Sequence, residues 1–245
     1  MEKIFEGKQA LVVGGTGGIG GALALVLAEQ GAQMNVVGGS SAERLMRTER
    51  ALAKHGAGAR CVAIQLADED ATAQILAFCP RTDILICAHG PFLRKPLAET
   101  SGADWRRIVT MNLILPGTLV SAYLGGMIER AWGRILLFGG TNTASVRGFT
   151  TTTPYSASKT ALGVLAKSLA KNAAGCGVCC NVICPGLTNT EYMDEESMRY
   201  NRENAPGGKV LTPAEIASFA LDILKNPALN GGIFPIDHGI ELYRV

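Results

Sequence analysis

Gln9-Ala10-Leu11-Val12-Val13-Gly14-Gly15-Thr16-Gly17-Gly18-Ile19-Gly20 runs straight into Gly21-Ala22-Leu23-Ala24-Leu25-Val26-Leu27. A strand-length apolar run, a glycine-rich turn and an apolar helical segment follow one another without a break. That order is the context a dinucleotide-binding turn requires. Gly15-x-Gly17-x-x-Gly20 has the matching spacing. Glycines permit the tight turn and the close approach of backbone to a pyrophosphate, and the helix N-terminus supplies N–H donors and a favourable dipole. A purely structural turn is the bland alternative, and the flanking strand and helix argue against it. Gly14, Thr16, Gly17, Gly18, Ile19 and Gly20 are the candidate cradle.

Outward from this unit the pattern repeats. Apolar runs at Gln9–Val13, Gln33–Val37, Arg60–Leu66, Asp83–Cys87, Arg134–Phe138, Val178–Cys184 and Ile233–Ile236 predict strands. Amphipathic stretches at Gly18–Glu29, Ala42–His55, Asp68–Phe78, Asp104–Glu129, Tyr155–Asn172 and Thr212–Lys225 predict helices. Such alternation implies a parallel sheet covered on both faces. The expectation is α/β: a single doubly wound Rossmann-type domain over residues 1–245, with a seven-stranded parallel sheet and no internal repeat. Gly139–Pro154 and Gly186–Leu211 read as long irregular segments, which in a compact domain are usually functional.

Hydrophobic residues make up 47% of the 245 and charged residues 18%, enough for a sizeable core. A net charge of +2 is too small to argue for nucleic acid or a membrane surface as partner. No run approaches the roughly 18 consecutive apolar residues of a membrane span. Met1-Glu2-Lys3-Ile4-Phe5-Glu6 lacks a secretory pattern, so the cytoplasm is expected. Of seven cysteines, Cys176, Cys179, Cys180 and Cys184 cluster. Cys179 and Cys180 are strand neighbours pointing to opposite faces, so reduced core thiols are expected and no metal site.

An acidic residue about 20 positions after the glycines would bind a ribose 2′-hydroxyl. Here the second strand ends Val36-Val37-Gly38-Gly39-Ser40-Ser41-Ala42-Glu43-Arg44. Gly39, Ser40, Ser41 and Arg44 leave space and donors instead, favouring NADP over NAD. Further on, Tyr155-Ser156-Ala157-Ser158-Lys159 puts a phenol and an ammonium on one helix face. An ammonium beside a phenol lowers its pKa from about 10, making it usable as a proton donor or acceptor.

Together these residues resemble the short-chain dehydrogenase/reductase family over nearly the whole chain, in its 3-oxoacyl-carrier-protein-reductase-like form. Gly14, Gly18 and Gly20 match its cofactor glycines. Cys87-Ala88-His89-Gly90 falls where the family has Asn-Asn-Ala-Gly, with only Gly90 kept. Asn112 matches its helical active-site asparagine, Tyr155 and Lys159 its catalytic pair, and Asn181-Val182-Ile183-Cys184-Pro185-Gly186 its Asn-x-x-x-Pro-Gly stretch. The resemblance implies cofactor contacts at Leu66, Ala88, His89, Gly90, Tyr155, Lys159, Pro185, Gly186, Leu187 and Thr190. It implies a water relay at Asn112 and a homotetramer built on the helices holding Asn112 and Tyr155. His89 reads as a packing or backbone-contact residue, since Tyr155 already fills the proton role. Met193, Met198 and Tyr192 read as the lining of a substrate lid.

One departure bears on chemistry. The family's serine follows the fifth strand, usually about 13 residues before the tyrosine. Counting from the strand reaches Gly140; counting back from Tyr155 reaches Asn142. Thr141, Asn142 and Thr143 are the candidates for its role, with Ser145 further along. The leading expectation is an NADP-dependent oxidoreductase transferring hydride between cofactor and a small-molecule carbonyl or secondary alcohol, a 3-oxoacyl thioester included. The thioester reading asks for cations near the cleft, for which Arg94, Lys95, Arg106, Arg107, Arg130 and Arg147 are available. The alternative is a dinucleotide-binding regulator or scaffold of weak turnover, suggested by the missing serine.

Overall fold

The computed structural model describes residues 3–55 and 58–240. Seven strands, β1 (Gln9–Val13), β2 (Gln33–Gly38), β3 (Ala59–Ala63), β4 (Ile84–Cys87), β5 (Gly133–Phe138), β6 (Val178–Pro185) and β7 (Ile233–Ile236), form one sheet. Their order is β3-β2-β1-β4-β5-β6-β7, and every pairing is parallel. The order reverses between β1 and β4, which opens a crevice at the carboxyl ends of the strands.

Alternation along each strand sorts the core into two layers. Leu11, Val13, Leu85, Ile135 and Leu137 face helices α3 (Ala71–Phe78), α5 (Leu115–Glu129) and α6 (Thr153–Asn172). Val12, Val36, Ile86 and Leu136 face α1 (Gly18–Glu29), α2 (Ala42–Ala53) and α8 (Pro213–Lys225). The doubly wound α/β domain expected from the sequence is therefore present.

Three boundaries differ from expectation for identifiable reasons. β3 stops at Ala63, and Ile64 and Leu66 turn into the core instead of extending the strand. The segment expected as one helix, Asp104–Glu129, is α4 (Gly102–Val109), a π-helical turn at Thr110–Ile114, and α5. Asn112 sits in the π turn, a feature that recurs at functional sites. Within the irregular stretch Gly186–Leu211 lies a helix, α7 (Glu195–Asn204), capped by Asp194 accepting from the Ser197 N–H at 2.7 Å. Its sequence is polar nearly all round, so periodicity gives no signal.

By length and composition the continuous helix Gly102–Glu129 could cross a membrane. In this fold Leu115, Leu119, Val120, Tyr123 and Met127 are buried in the core, and the Tyr123 hydroxyl donates to the Cys79 carbonyl at 2.6 Å.

The β1–α1 turn is the tightest packing in the crevice. A Cβ on Gly20 would run into the Gly14 carbonyl oxygen, whereas one on Gly21 would meet only ordinary contacts at 3.6 Å. Gly20→Ala should therefore lower the unfolding free energy by about 1–3 kcal/mol, seen as a lower urea midpoint with an unchanged slope. Gly21→Ala should be neutral or gain up to about 1 kcal/mol from helix propensity. Equal effects of the two in equilibrium denaturation would contradict this packing.

Candidate active site

The end of β1 and the start of α1 form the cradle. Gly14 takes φ +84°, packs against the backbone of His89, and donates its N–H to the Val37 carbonyl at 2.8 Å. A cavity of about 330 Å³ is lined by Gly14, Thr16, Gly17, Gly18, Ile19, Gly20, Gly39, Arg44, Ala88, His89, Gly90, Thr190 and Tyr192. Ser40 and Ser41 are not among them. Ser41 caps α2 by accepting from the Arg44 N–H at 3.4 Å, and Ser40 is exposed. Leu66 is 5% exposed and packs in the core with Val37 and Ile75, lining neither cavity described here. The early end of β3 draws the Leu66 side chain under the sheet.

The cradle already holds an anion. The Gly18 N–H, at the first turn of α1, donates to both carboxylate oxygens of Glu191, at 3.0 and 3.1 Å. The Tyr192 hydroxyl donates to the Thr16 carbonyl at 3.1 Å, and the Arg44 guanidinium lies 5.0 Å from the Tyr192 ring. The carboxylate stands where a phosphate oxygen would take the same N–H. A turn that excludes side chains, presents a helix N-terminus and accepts a carboxylate fits a dinucleotide's pyrophosphate.

Beyond the cradle a larger cavity of about 970 Å³ opens, with Ala88, His89, Gly90 and Thr190 common to both. Thr141, Asn142, Tyr155, Lys159, Pro185, Gly186 and Leu187 line it. The Lys159 ammonium is buried, 4% exposed, and donates to the Phe138 carbonyl at 2.8 Å. Burial pushes it down to about 8. Burial, followed by the neighbouring Cys184 thiol, pushes the Tyr155 phenol up to about 12. The expected lowering of the tyrosine is thereby reversed. The ammonium lies 5.8 Å from the ring centroid and is turned to a carbonyl, so loss of water around the phenolate outweighs its attraction.

Asn112 is fully buried in the π turn and is not in the cavity lining. Its amide donates to the Ile108 and Pro91 carbonyls, each at 3.0 Å, while Oδ1 has no partner. A Cβ on Gly90 would collide with that Oδ1 and come within 2.9 Å of Lys159 Nζ. The only retained residue of the expected Asn-Asn-Ala-Gly motif thus opens the space between Asn112 and Lys159.

Gly140 occupies the position reached by counting from β5, and a Cβ there would lie 2.6 Å from the Tyr155 hydroxyl oxygen. The neighbouring hydroxyls are committed. Thr143 is buried, donates to the Gly140 carbonyl at 2.9 Å and accepts from the Gly140 N–H at 2.8 Å. Thr141 donates to the Pro185 carbonyl at 3.1 Å. Ser145 is exposed and outside the lining. Asn142, at φ +62°, lines the cavity and keeps Oδ1 buried without a partner.

Sequence reading missed Phe92, Phe149, Tyr200 and Ile240 in the cavity wall. Phe92 stacks edge-on against Tyr155 at 5.0 Å between centroids. Phe92 and Phe149 lie in loops and Tyr200 within the polar helix α7, where no apolar period marks them. Met193 lines the cavity as expected; Met198 does not. Of the basic residues expected near the cleft, Lys95 is paired with Asp104 at 2.9 Å, and Arg130 pairs with Asp83 at 3.1 Å just before β4, at the opposite edge of the sheet. Arg94 lines the mouth, 4.7 Å from the Tyr200 ring. Cys179, Cys180 and Cys184 are buried, and burial raises the Cys180 thiol above its ordinary range. Among the described residues no three His, Cys, Asp or Glu side chains gather as a metal site.

This fold and constellation place the chain among known proteins. It belongs to the short-chain dehydrogenase/reductase family: the short chain dehydrogenase profile matches residues 8–201. It is 32% identical to a 3-oxoacyl-[acyl-carrier-protein] reductase of Aquifex aeolicus, over 96% of this chain and 100% of that one. It is also 32% identical to a 2-dehydro-3-deoxy-D-gluconate 5-dehydrogenase of Pseudoalteromonas atlantica, covering 98% of each. A crystal structure of a 3-oxoacyl (acyl-carrier-protein) reductase from Agrobacterium tumefaciens with NADP bound superimposes at a TM-score of 0.86. Identity to it is 26%, covering 96% of this chain and 94% of that one. The chain is an oxidoreductase acting on alcohol or carbonyl groups.

His89 carries a pH signature. Burial, then the Lys159 charge, pulls its imidazole from 6.5 down to about 4, and Nε2 has no partner. The unfolded chain therefore takes up a proton that the folded one refuses between those values. Stability is complete above pH 6.5 and falls as pH drops towards 4, by at most about 3 kcal/mol. His89→Ala should flatten that limb in urea titrations at pH 7, 5.5 and 4.5. An unchanged slope would show that His89 is not desolvated.

Proposed function

We propose that the chain transfers hydride between NADP(H) and a small carbonyl or secondary alcohol substrate, with Tyr155 as the proton donor and acceptor. The observation that carries this is the shared wall of the two cavities. Ala88, His89, Gly90 and Thr190 border both the cradle and the chamber that holds Tyr155 and Lys159.

A bound nicotinamide supplies or takes up the hydride. The chain's own residues do the rest. Gly14, Gly17, Gly18 and Gly20 hold the pyrophosphate, Arg44 and Gly39 receive a 2′-phosphate, and Thr190 with the Pro185–Leu187 backbone orients the nicotinamide end. Tyr155 stays protonated at neutral pH, the form that gives a proton to a carbonyl oxygen during reduction. Lys159 and Asn112 face each other across Gly90 and carry the proton inward. Lys159 loses its charge as pH rises through about 8, so the reductive rate should fall above that value.

The charge that develops on the carbonyl oxygen needs a second donor. The Thr141 and Thr143 hydroxyls each have one proton, and both are spent on backbone carbonyls. Asn142 is the remaining candidate, so its amide takes the role of the missing serine. In the substrate chamber, Phe92, Phe149 and Tyr200 favour a partly apolar substrate. Arg94 lines the chamber, and the neighbouring Lys95 is held by Asp104. A 3-oxoacyl thioester and a sugar-acid carbonyl, the substrate types named in the two relatives, are therefore both candidates. Gly140 in place of serine favours the second reading, a dinucleotide-binding regulator.

A carbonyl panel run with NADPH and NADH side by side separates these readings; NADPH binding without turnover on any carbonyl would favour the regulator. Tyr155→Phe should lower kcat by about 10²-fold or more while cofactor affinity barely changes. Asn142→Ala should cost about 10²–10³ in turnover, with Thr141→Val and Thr143→Val costing far less. A wild-type rate in Asn142→Ala would remove that residue from the mechanism.

We also propose that α5 and α6 pack against a second copy. Leu162 and Leu169 serve the chain's own core, but Val164 is 68% exposed and Ile114 51%. Outward apolar residues on these helices suit an isologous contact. Light scattering should give a tetramer or a dimer; a particle near 25.7 kDa at micromolar concentration would refute it.

A further inference from the structure

We propose that Glu191 is a built-in competitor for the cofactor cradle, so that the turn Thr190–Met193 must swing away before a dinucleotide's pyrophosphate can bind. The inference rests on the reading of the cradle as a dinucleotide site and adds to it a gate.

The contact is specific. Both Glu191 oxygens lie on the Gly18 N–H, at 3.0 and 3.1 Å, and Tyr192 anchors the same turn to the Thr16 carbonyl at 3.1 Å. A Cβ on Gly17 would collide with both side chains, so they lie directly on the glycine turn. A carboxylate and a pyrophosphate cannot share one donor, and their like charges repel at that range. The contact therefore subtracts from cofactor affinity by the fraction of molecules in which it is closed.

The turn is also built to move as a unit. On its N-terminal side Leu187 and Asn189 are tied to Leu211 through backbone bonds of 2.9 and 3.0 Å. On its C-terminal side α7 starts at the Asp194 cap. Between these anchors the turn has one internal backbone bond, Met193 N–H to the Thr190 carbonyl at 3.1 Å. Opening frees Gly18 and Arg44 together, because the Tyr192 ring rests against the Arg44 guanidinium. It also shifts a wall of the substrate chamber, since Thr190 and Met193 line it. Cofactor binding thereby reshapes the substrate site.

The test uses the full-length protein and two readouts. In cofactor-free protein, amide hydrogen exchange across Val13–Leu23 and Leu187–Asp194 should accelerate in Glu191→Gln and Glu191→Ala. The NADPH dissociation constant, read by nicotinamide fluorescence, should fall about tenfold in Glu191→Ala, equivalent to about 1.4 kcal/mol. Glu203→Gln removes an equal charge from an exposed site on α7 and should change neither readout. If the variants bind NADPH with wild-type affinity and unchanged exchange, the competition is overturned and the dinucleotide reading stands. Weaker NADPH binding in Glu191→Ala likewise overturns it, by making Glu191 a ligand-holding residue. If exchange accelerates but no form of the protein binds a dinucleotide, the reading of the cradle falls and the competition falls with it.

Discussion

The approach of α1 to β1 across the Gly14–Gly20 turn is the constraint on which the rest of the structure depends. The helix starts so close to the strand end that no side chain fits on Gly20. That proximity brings a helix N–H with no partner inside its own helix to the carboxyl edge of the sheet, where the strand order reverses. The same turn pins the backbone of His89 against Gly14 and so fixes the path of the chain after β4. Gly90, Phe92 and the chamber around Tyr155 take their positions from that path. One steric requirement at the start of the chain thus sets the geometry of a chamber whose Tyr155 lies 135 residues after Gly20.

Desolvation is the second force at work. Lys159, Tyr155 and His89 each have their neutral form favoured by burial. An ammonium 5.8 Å from a phenol ring does not compensate for water removed from both. The site therefore favours a protonated phenol and a lysine that loses its charge near pH 8. Its orphaned atoms, His89 Nε2, Asn112 Oδ1 and Asn142 Oδ1, are buried polar groups of the kind that stays unpaired at functional sites. Around Gly90, the missing side chain is what lets Asn112 Oδ1 and Lys159 Nζ come so close to the backbone.

Much of this was legible because it rests on period and spacing. The bounds of β1, α1 and β7 match the sequence pattern residue for residue; for β1 and α1 the reason is that a strand buried on both faces and a glycine turn leave strong marks. Tyr155 and Lys159 share a cavity as their spacing requires. What escaped has no such mark. The π turn at Asn112 inserts a residue into a helix whose apolar pattern continues on both sides. Helix α7 has too little apolar surface to show a period, although its Asp194 cap and first-turn Glu195 and Glu196 were a start signal. The Glu191 contact joins residues 173 positions apart, and nothing local to Glu191 announces it. The direction of the Tyr155 shift depends on burial, which a pair spacing does not encode.

The vacancy left by the serine and the carboxylate in the cradle bear on one question, how the chain controls charge in a closed site. At Gly140 the side chain is removed at a point where the Tyr155 hydroxyl already approaches within 2.6 Å of where its Cβ would stand. A serine there would require the phenol or the loop to shift, so glycine and this position of Tyr155 belong together. Along the same loop, Thr141 and Thr143 spend their hydroxyl protons on the Pro185 and Gly140 carbonyls and so hold the loop in place. Asn142, on a left-handed backbone, lines the cavity with its Oδ1 buried and unpartnered. Under the proposed hydride transfer its amide NH2 would be the donor to the carbonyl oxygen, because the two threonine protons are already used.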